Sequence, residues 1–323
     1  LDIVSLYYFS ELCKDMNMTH TASRLYISQQ TLSNHILRLE RHYGAPLFFR
    51  KPRLRLTDAG RIMRLFSKKI LDEETQLKKL LFDVEDQRRG LLRFGASSMR
   101  INDCLPYILP RFSQEYPEVQ LEVYSSTSAD LEKRACNREL DLTLCVLDRD
   151  IPALVSRKVL SDQIYLCVAD KLLEKYYGEE AEALKKRSSS GVNLADFAKV
   201  PFFMLSAANR LSHTISKCFE EADCIPNIYL SAIQTRLGPS ICSNGLAACF
   251  MTRANLANTL QELGRQVNIF PLMYHEKPVF HDLFLVHHKK QYLPHYARHF
   301  IKLLVEYFEG IDSVFMADDL TKG

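Results

Sequence analysis

Between residues 19 and 56 the chain reads THTASRLYISQQTLSNHILRLERHYGAPLFFRKPRLRL, and its apolar positions mark two short helices and a hairpin. Thr19 is placed to cap a short helix carrying Ala22 and Leu25, and Tyr26 and Ile27 form a turn. Ser28 then caps a second helix, in which Leu32, Ile36 and Leu39 recur at steps of four and three and build one apolar face. The other face carries Gln29, Gln30, Ser33 and Asn34, and Gly44 and Pro46 end the helix. Phe48, Phe49, Leu54 and Leu56 frame Arg50, Lys51, Arg53 and Arg55 around Pro52, the pattern of a short basic hairpin. Ahead of this stretch, residues 3–13 predict a helix with Ile3, Leu6, Tyr7, Phe9, Ser10 and Cys13 turned inward, which closes a small core.

From Thr57, placed as a cap, to residue 88 there is no Pro and one Gly, Gly60. Ile62, Leu65, Phe66, Ile70, Leu77, Leu80, Leu81 and Val84 recur at three and four, so the spacing predicts a helix of some thirty residues, about 45 Å long. A small head does not cover such a helix, which points to pairing with a second copy; packing on its own body is the alternative. The pattern then changes. Strands at 91–97, 119–125 and 140–147 alternate with helices at 102–116 and 129–137, the grammar of a mostly parallel sheet covered on both faces. Strand pattern continues over 156–169. Residues 174–190 are polar and predict a surface helix and loop with no core role. A second α/β set follows to residue 271. The apolar strand at 281–287 is expected to cross back into the first lobe, 294–308 closes the chain as a helix, and 318–323 reads as a disordered tail. Two lobes joined by paired crossings make a hinged body with a cleft.

Charge sharpens this division. The whole chain is only +3, yet residues 38–69 hold ten Lys or Arg against two Asp or Glu, and residues 91–323 are close to neutral. A basic front fused to a neutral body implies that the front touches nucleic acid and the body does something else. A helix-turn-helix with a basic wing places its second helix in a major groove and its cations along phosphates. No apolar run reaches eighteen residues and no leader pattern opens the sequence, so a cytoplasmic protein without a membrane partner is expected. The nine cysteines sit mostly in apolar stretches, without a CxxC pair, as expected of buried reduced thiols.

The candidate chemistry is recognition rather than catalysis. Gln29, Gln30, Ser33 and Asn34 are the residues for direct base readout, since an amide meets adenine bidentately. Thr31 and His35 are expected beside the DNA backbone, and Arg50, Lys51, Arg53 and Arg55 on phosphates, with Arg53 projected by Pro52 toward a minor groove. Ser97 and Ser98 lie where a strand ends and a helix starts, a place that gathers N–H groups around an anion or simply caps the helix. Ser126, Thr127 and Ser128 occupy the equivalent junction of the next unit. Arg100 is a carboxylate partner or an exposed cation, and Asn209, Arg210 and His213 line a similar loop of the second lobe. No Gly-x-Ser-x-Gly, His-x-x-x-His or dinucleotide glycine pattern occurs, and neither His287-His288 nor His20 with His35 has a surrounding ligand set. No enzyme activity, metal or cofactor is expected.

These motifs resemble the LysR-type transcriptional regulators. The resemblance rests on Phe9; Thr19, Thr21 and Ala22; Ser28-Gln29-Gln30-Thr31-Leu32-Ser33 with Ile36, Leu39 and Glu40; Leu47-Phe48-Phe49-Arg50; and Leu56-Thr57-Asp58-Ala59-Gly60. Gln30 replaces the family's usual Pro and Asn34 stands where Arg is frequent, departures that bear on sequence preference. Beyond residue 90 the likeness is looser: Leu105-Pro106 to Tyr116-Pro117, Leu131 with Leu140-Asp141-Leu142, and Gly245-Leu246-Ala247. It implies a winged helix-turn-helix head (1–57), a linker and dimerisation helix (58–89), and a periplasmic-binding-protein-like effector domain with lobe I at 90–165 and 281–312 and lobe II at 166–280. It implies a sequence-specific regulator of transcription that binds double-stranded DNA as a homodimer or homotetramer, with RNA polymerase a candidate contact. A small-molecule effector, a carboxylate among the candidates, would sit between the lobes on Ser97, Ser98, Thr127 or Ser128, and Ser206. The rival readings are a sensor whose front domain contacts protein and an architectural DNA-binding protein.

Overall fold

The computed structural model describes residues 2–84, 89–207, 209–233 and 236–314, and it divides into two compact units, Leu1–Gln87 and Arg88–Gly323. The expected helix break at residue 88 and the tail at 318–323 lie outside the described residues.

The first unit begins with α1 (Ile3–Asp15), α2 (Met18–Arg24) and α3 (Gln29–Tyr43). Asp2 caps α1, Asn17 caps α2 and Ser28 caps α3, each accepting from a backbone N–H of the first turn. Thr19 is therefore inside α2 and not its cap, because Asn17 supplies the acceptor two residues earlier. Leu6, Phe9 and Leu12 of α1 meet Leu32, Ile36 and Leu39 of α3 in a closed core. Ile3 and Tyr7 lie beside that stripe and are exposed, against expectation, while Leu12 takes the inward place. Gly44 ends α3 in the left-handed region at φ 65°, where a side chain would be strained. The wing pairs β1 (Phe48–Phe49) antiparallel with β2 (Arg55–Leu56). Thr57 then opens α4 (Asp58–Val84), with Oγ1 accepting from the Gly60 N–H at 2.9 Å and donating to the Pro46 carbonyl at 2.6 Å. Gly60 is required: an added Cβ would lie 2.1 Å from the Leu47 carbonyl oxygen.

In the second unit, β3 (Arg89–Ala96), α5 (Ser98–Glu115), β4 (Glu118–Ser125), α6 (Ser128–Cys136) and β5 (Leu142–Val146) form lobe I, with β3 parallel to β4 and β5. The sixteen-residue β6 (Leu154–Ala169) then leaves it. Lobe II follows as α7 (Asp170–Tyr177), α8 (Ala181–Ser188), β7 (Pro201–Leu205), α9 (Arg210–Glu221) and β8 (Asn227–Ala232). It continues with α10 (Leu237–Ser243), β9 (Ala248–Thr252), α11 (Arg253–Leu263) and β10 (Val267–Pro271). A small hairpin of β11 (Met273–Tyr274) and β12 (Lys277–Pro278) leads to β13 (Phe280–His288), and α12 (His295–Val314) ends the described chain.

The strand order is β4-β3-β5-β13-β6-β9-β7-β8, with β10 also on β6. The first half of β6 pairs with β13 and the second half with β9 and β10, so this one strand belongs to both lobes. β13 returns antiparallel between β5 and β6, the crossing that its apolar pattern predicts. Phe94, Phe112 and Phe300 meet edge to face at 5.2 and 5.3 Å in the core of lobe I, and Phe202, Phe219 and Phe250 pack together in lobe II. Residues 174–190 are a correction: α8 buries Ala181 and Leu184 in the core of lobe II, beside Leu172 and Leu173 of α7 just ahead of the stretch. Their apolar positions are few among charges but fall on one side of each helix. No helix among the described residues is long and apolar enough to cross a membrane.

Candidate functional site

Two places gather the residues singled out by sequence. The first is the start of α3. Gln29, Gln30, Thr31 and Asn34 are exposed and Ser33 is partly so, because the buried stripe Leu32, Ile36 and Leu39 leaves this side free. Gln29 is positioned: its Oε1 accepts from Thr19 Oγ1 at 3.1 Å. His35 departs from this set. Its Nδ1 lies 2.8 Å from Ser5 Oγ and its ring packs edge-on against Tyr8, so it joins α3 to α1 and does not face outward. On the wing, Arg50 pairs with Glu40 at 3.1 Å, and Arg55 lies over the Phe49 ring at 5.6 Å. Lys51 and Arg53 are exposed and have no ion pair among the described residues. The wing thus contains two free cations and two that also serve its own structure.

The second place is a cavity of about 570 Å³ in the second unit. It opens where strands of both lobes end and helices begin, so its wall is made of helix starts: Ser97 and Ser98 of α5, Thr127 and Ser128 of α6, and Asn209 and Arg210 of α9. Unsatisfied N–H groups at such ends favour an anion or a strong acceptor. Three side-chain oxygens here already accept a backbone hydrogen bond. Ser97 Oγ accepts from the Arg100 N–H at 3.4 Å, Ser128 Oγ from the Val146 N–H at 3.3 Å, and Asn209 Oδ1 from the Leu211 N–H at 2.9 Å. Thr127 makes no capping bond and lines the space. Ser206 is not part of the wall; its N–H is bonded to the Ala232 carbonyl at 3.0 Å. His213 is exposed and also outside it.

Arg100 is neither exposed nor free. It is 5% exposed and donates through Nη2 to Asp162 of β6, whose other oxygen accepts from the Ala254 N–H at 2.9 Å. Burial works against its charge, but Asp162 outweighs that and raises its pKa. Arg210 reaches from lobe II to Glu132, to the Val146 carbonyl and, at 2.9 Å, to Asp148 of lobe I. Asn102, Arg236, Thr252 and His281 also line the cavity and were not singled out by sequence. Thr252 had a readable signal, a hydroxyl between a strand and a helix like Ser97. His281 had none, since only the sheet order brings β13 here. Burial pushes the His281 imidazole down to about 4 and the Asp103 carboxyl behind the wall up to about 6.

Among the described residues no group of His, Cys, Asp and Glu is placed to hold a metal ion. All nine cysteines are free, and burial pushes the thiols of Cys13, Cys104 and Cys145 up to about 12, leaving them unreactive.

Two family models match the chain. One describes a bacterial regulatory helix-turn-helix protein, lysR family, over residues 3–61; the other is the LysR substrate binding domain, over residues 85–309. The chain is 28% identical over 205 residues to the HTH-type transcriptional activator IlvY of Salmonella typhimurium, covering 63% of this chain and 66% of that relative, just under two thirds of its length. Its fold is similar to a full-length OxyR variant from Pseudomonas aeruginosa, with a TM-score of 0.63 at 15% identity over 96% of this chain and 95% of the other. It is also similar to full-length CbnR complexed with target DNA, with a TM-score of 0.58 at 16% identity over 95% and 100%. The mixed architecture expected from the motifs, a helical head and an α/β body, is borne out. The family is one of regulators and not of enzymes. The helix-turn-helix, the two lobes and the matched models agree: this chain belongs to the LysR family of DNA-binding transcriptional regulators with an effector-binding domain.

Proposed function

We propose that this chain reads a specific duplex sequence through α3 and the wing, as a homodimer, under the control of a small molecule held between its lobes. The observation that carries the reading is the outward row of Gln29, Gln30, Thr31, Ser33 and Asn34 at the N-terminal end of α3. Amides there suit adenine N6 and N7, and a major groove admits such a helix by its first turns. Lys51, Arg53 and Arg55 supply phosphate contacts, with Arg50 divided between phosphate and Glu40. The dimer is carried by α4, whose Ile62, Leu65, Leu77 and Leu81 are between 54% and 75% exposed. A two-fold pair of heads fits a two-fold operator, and further pairing of the effector lobes gives a tetramer. The setting is the cytoplasm, where RNA polymerase is the contact on which a regulator acts.

In the cavity, Ser97, Ser98, Arg100, Thr127, Ser128 and Asn209 are the effector contacts, and the lobes meet at β6 near residues 163–165. A ligand that favours one lobe closure over another shifts that equilibrium by its differential affinity, and α4 transmits the change to head spacing. A thermal-shift screen of the full chain with a metabolite library tests the effector half. A hit is expected to lose its shift in Ser98→Ala. Absence of any hit contradicts effector control without touching DNA reading. A sensor whose head contacts protein predicts no salt-dependent duplex binding, and an architectural protein predicts binding without sequence preference.

A further inference from the structure

Two side chains that line the cavity each carry a buried polar atom with no hydrogen-bond partner among the described residues. Arg100 uses Nη2 on Asp162, but its Nη1 is buried without a hydrogen bond. His281, 9% exposed on β13, has a buried Nε2 that is likewise unbonded. Both residues line the cavity. A buried charged donor left unmade keeps its full desolvation cost, so an incoming acceptor is rewarded more here than at a surface.

The surrounding charges limit what that acceptor is. Asp162 already answers Arg100 and also accepts from the Ala254 N–H, so it offers little to a ligand. Arg210 is answered by Glu132 and Asp148. The two buried or half-buried guanidinium charges on this wall are thus answered, and Arg236, which also lines it, is exposed to solvent, leaving one unfilled buried donor, one imidazole nitrogen and the helix starts. That suits one negative charge and gives a second no buried partner. His281 is uncharged near neutral pH, which keeps the imidazole a hydrogen-bonding group and not a second cation. Beside these atoms, Met99, Leu144, Val146, Leu211, Ile233 and Leu283 give the cavity an apolar side.

Resting on the cleft reading above, we propose that Arg100 and His281 form a floor subsite for the single carboxylate of a monocarboxylate effector with a largely apolar body. One carboxylate oxygen accepts from Arg100 Nη1 and the other from the Nε2–H tautomer of His281. Asp162 is the positioning residue that fixes the guanidinium. The cavity volume is in the range of small-molecule sites.

Calorimetric titration of the full chain with hexanoate and benzoate, at constant ionic strength, tests this, with benzamide as the uncharged isostere and inorganic phosphate as the doubly charged probe. Saturable binding of at least one carboxylate is expected, about tenfold or more tighter than benzamide or phosphate. Arg100→Lys keeps a cation beside Asp162 and loses the second donor; His281→Phe keeps a ring and loses the nitrogen. Each is expected to weaken the carboxylate about tenfold. Thermal unfolding of each variant is the fold control, and His281→Phe carries the test if Arg100→Lys does not fold. Carboxylate binding that survives both substitutions but is lost in Thr127→Val overturns the floor subsite and leaves the cleft reading standing. Binding unchanged in all three variants places the ligand elsewhere and overturns both. No saturable carboxylate binding to the solubility limit, or benzamide or phosphate binding as tightly, overturns the ligand class.

Discussion

Glu40 shows how much one side chain of the head organises. It is largely buried, and its Oε1 accepts from the Leu47 N–H at 2.8 Å and the Phe48 N–H at 3.4 Å while Oε2 pairs with Arg50. It therefore ties the reading helix to the wing, and Glu40→Ala is expected to cost about 1–3 kcal/mol in denaturant unfolding. The wing cations divide in the same terms. Lys51→Ala and Arg53→Ala should each reduce the salt slope of DNA binding by about one, whereas Arg50→Ala should act partly through stability. His281 sets a pH dependence. Its folded pKa of about 4 lies below the unfolded value of about 6.5, so its contribution is intact above pH 6.5 and is lost as pH falls toward 4, by about 3 kcal/mol at most. Asp103, raised to about 6, works in the opposite direction over pH 6 to 4 because the fold holds its proton longer. His281→Gln removes only the first effect, so its melting temperature should gain on the unsubstituted chain between pH 7 and pH 4.5; equal pH profiles would contradict the assignment. Ser28, Leu32 and Ile36 were readable because a cap and a stripe are local patterns. The Arg100–Asp162 pair was not, since its partners are 62 residues apart and meet only through sheet order.

Among elements, α4 makes the most exposed claim. Ile62 and Leu65 are 70% and 75% exposed, and a second copy of the helix gives such side chains a burial of about 1.5–3 kcal/mol each. Leu65→Asp or Leu77→Asp should convert the dimer to monomer in analytical ultracentrifugation and weaken operator binding, while the core of the head, built on Leu6, Phe9 and Ile36, stays folded. A dimer that persists in both would place the pairing surface elsewhere. β13 was legible because an apolar strand after a run of α/β units must be buried, and β5 and β6 leave it one gap. Residues 174–190 were misjudged because their charges outnumber Ala181 and Leu184, the apolar residues of the stretch that reach the core. In α1 Leu6, Phe9 and Cys13 face inward as read, but Ile3 and Tyr7 at the edge of that face are exposed and Leu12 is buried instead.

At the scale of the molecule, the two functions are built by different means. The exposed residues at the start of α3 and the wing cations are contiguous in sequence, which is why the motif located them without the rest of the fold. The cavity is assembled from α5, α6, α9 and β13, elements spread over nearly two hundred residues, so only the residues of its helix starts, among them Ser97, Ser98, Arg100, Thr127, Asn209 and Arg210, were visible in advance. β6 belongs to both lobes, and Arg210 spans from α9 to Glu132 and Asp148, so the cavity wall and the junction of the lobes share the same few contacts. The central claim is that the assembled protein reads sequence with paired heads. It is tested most directly by selecting duplexes from a random pool with the full chain and measuring affinity for the winners across a salt series. The account predicts enrichment of a two-fold pattern, altered at particular bases by Gln30→Ala, with the logarithm of affinity falling linearly with the logarithm of salt. A pool that stays random after selection, or binding indifferent to salt, would contradict it.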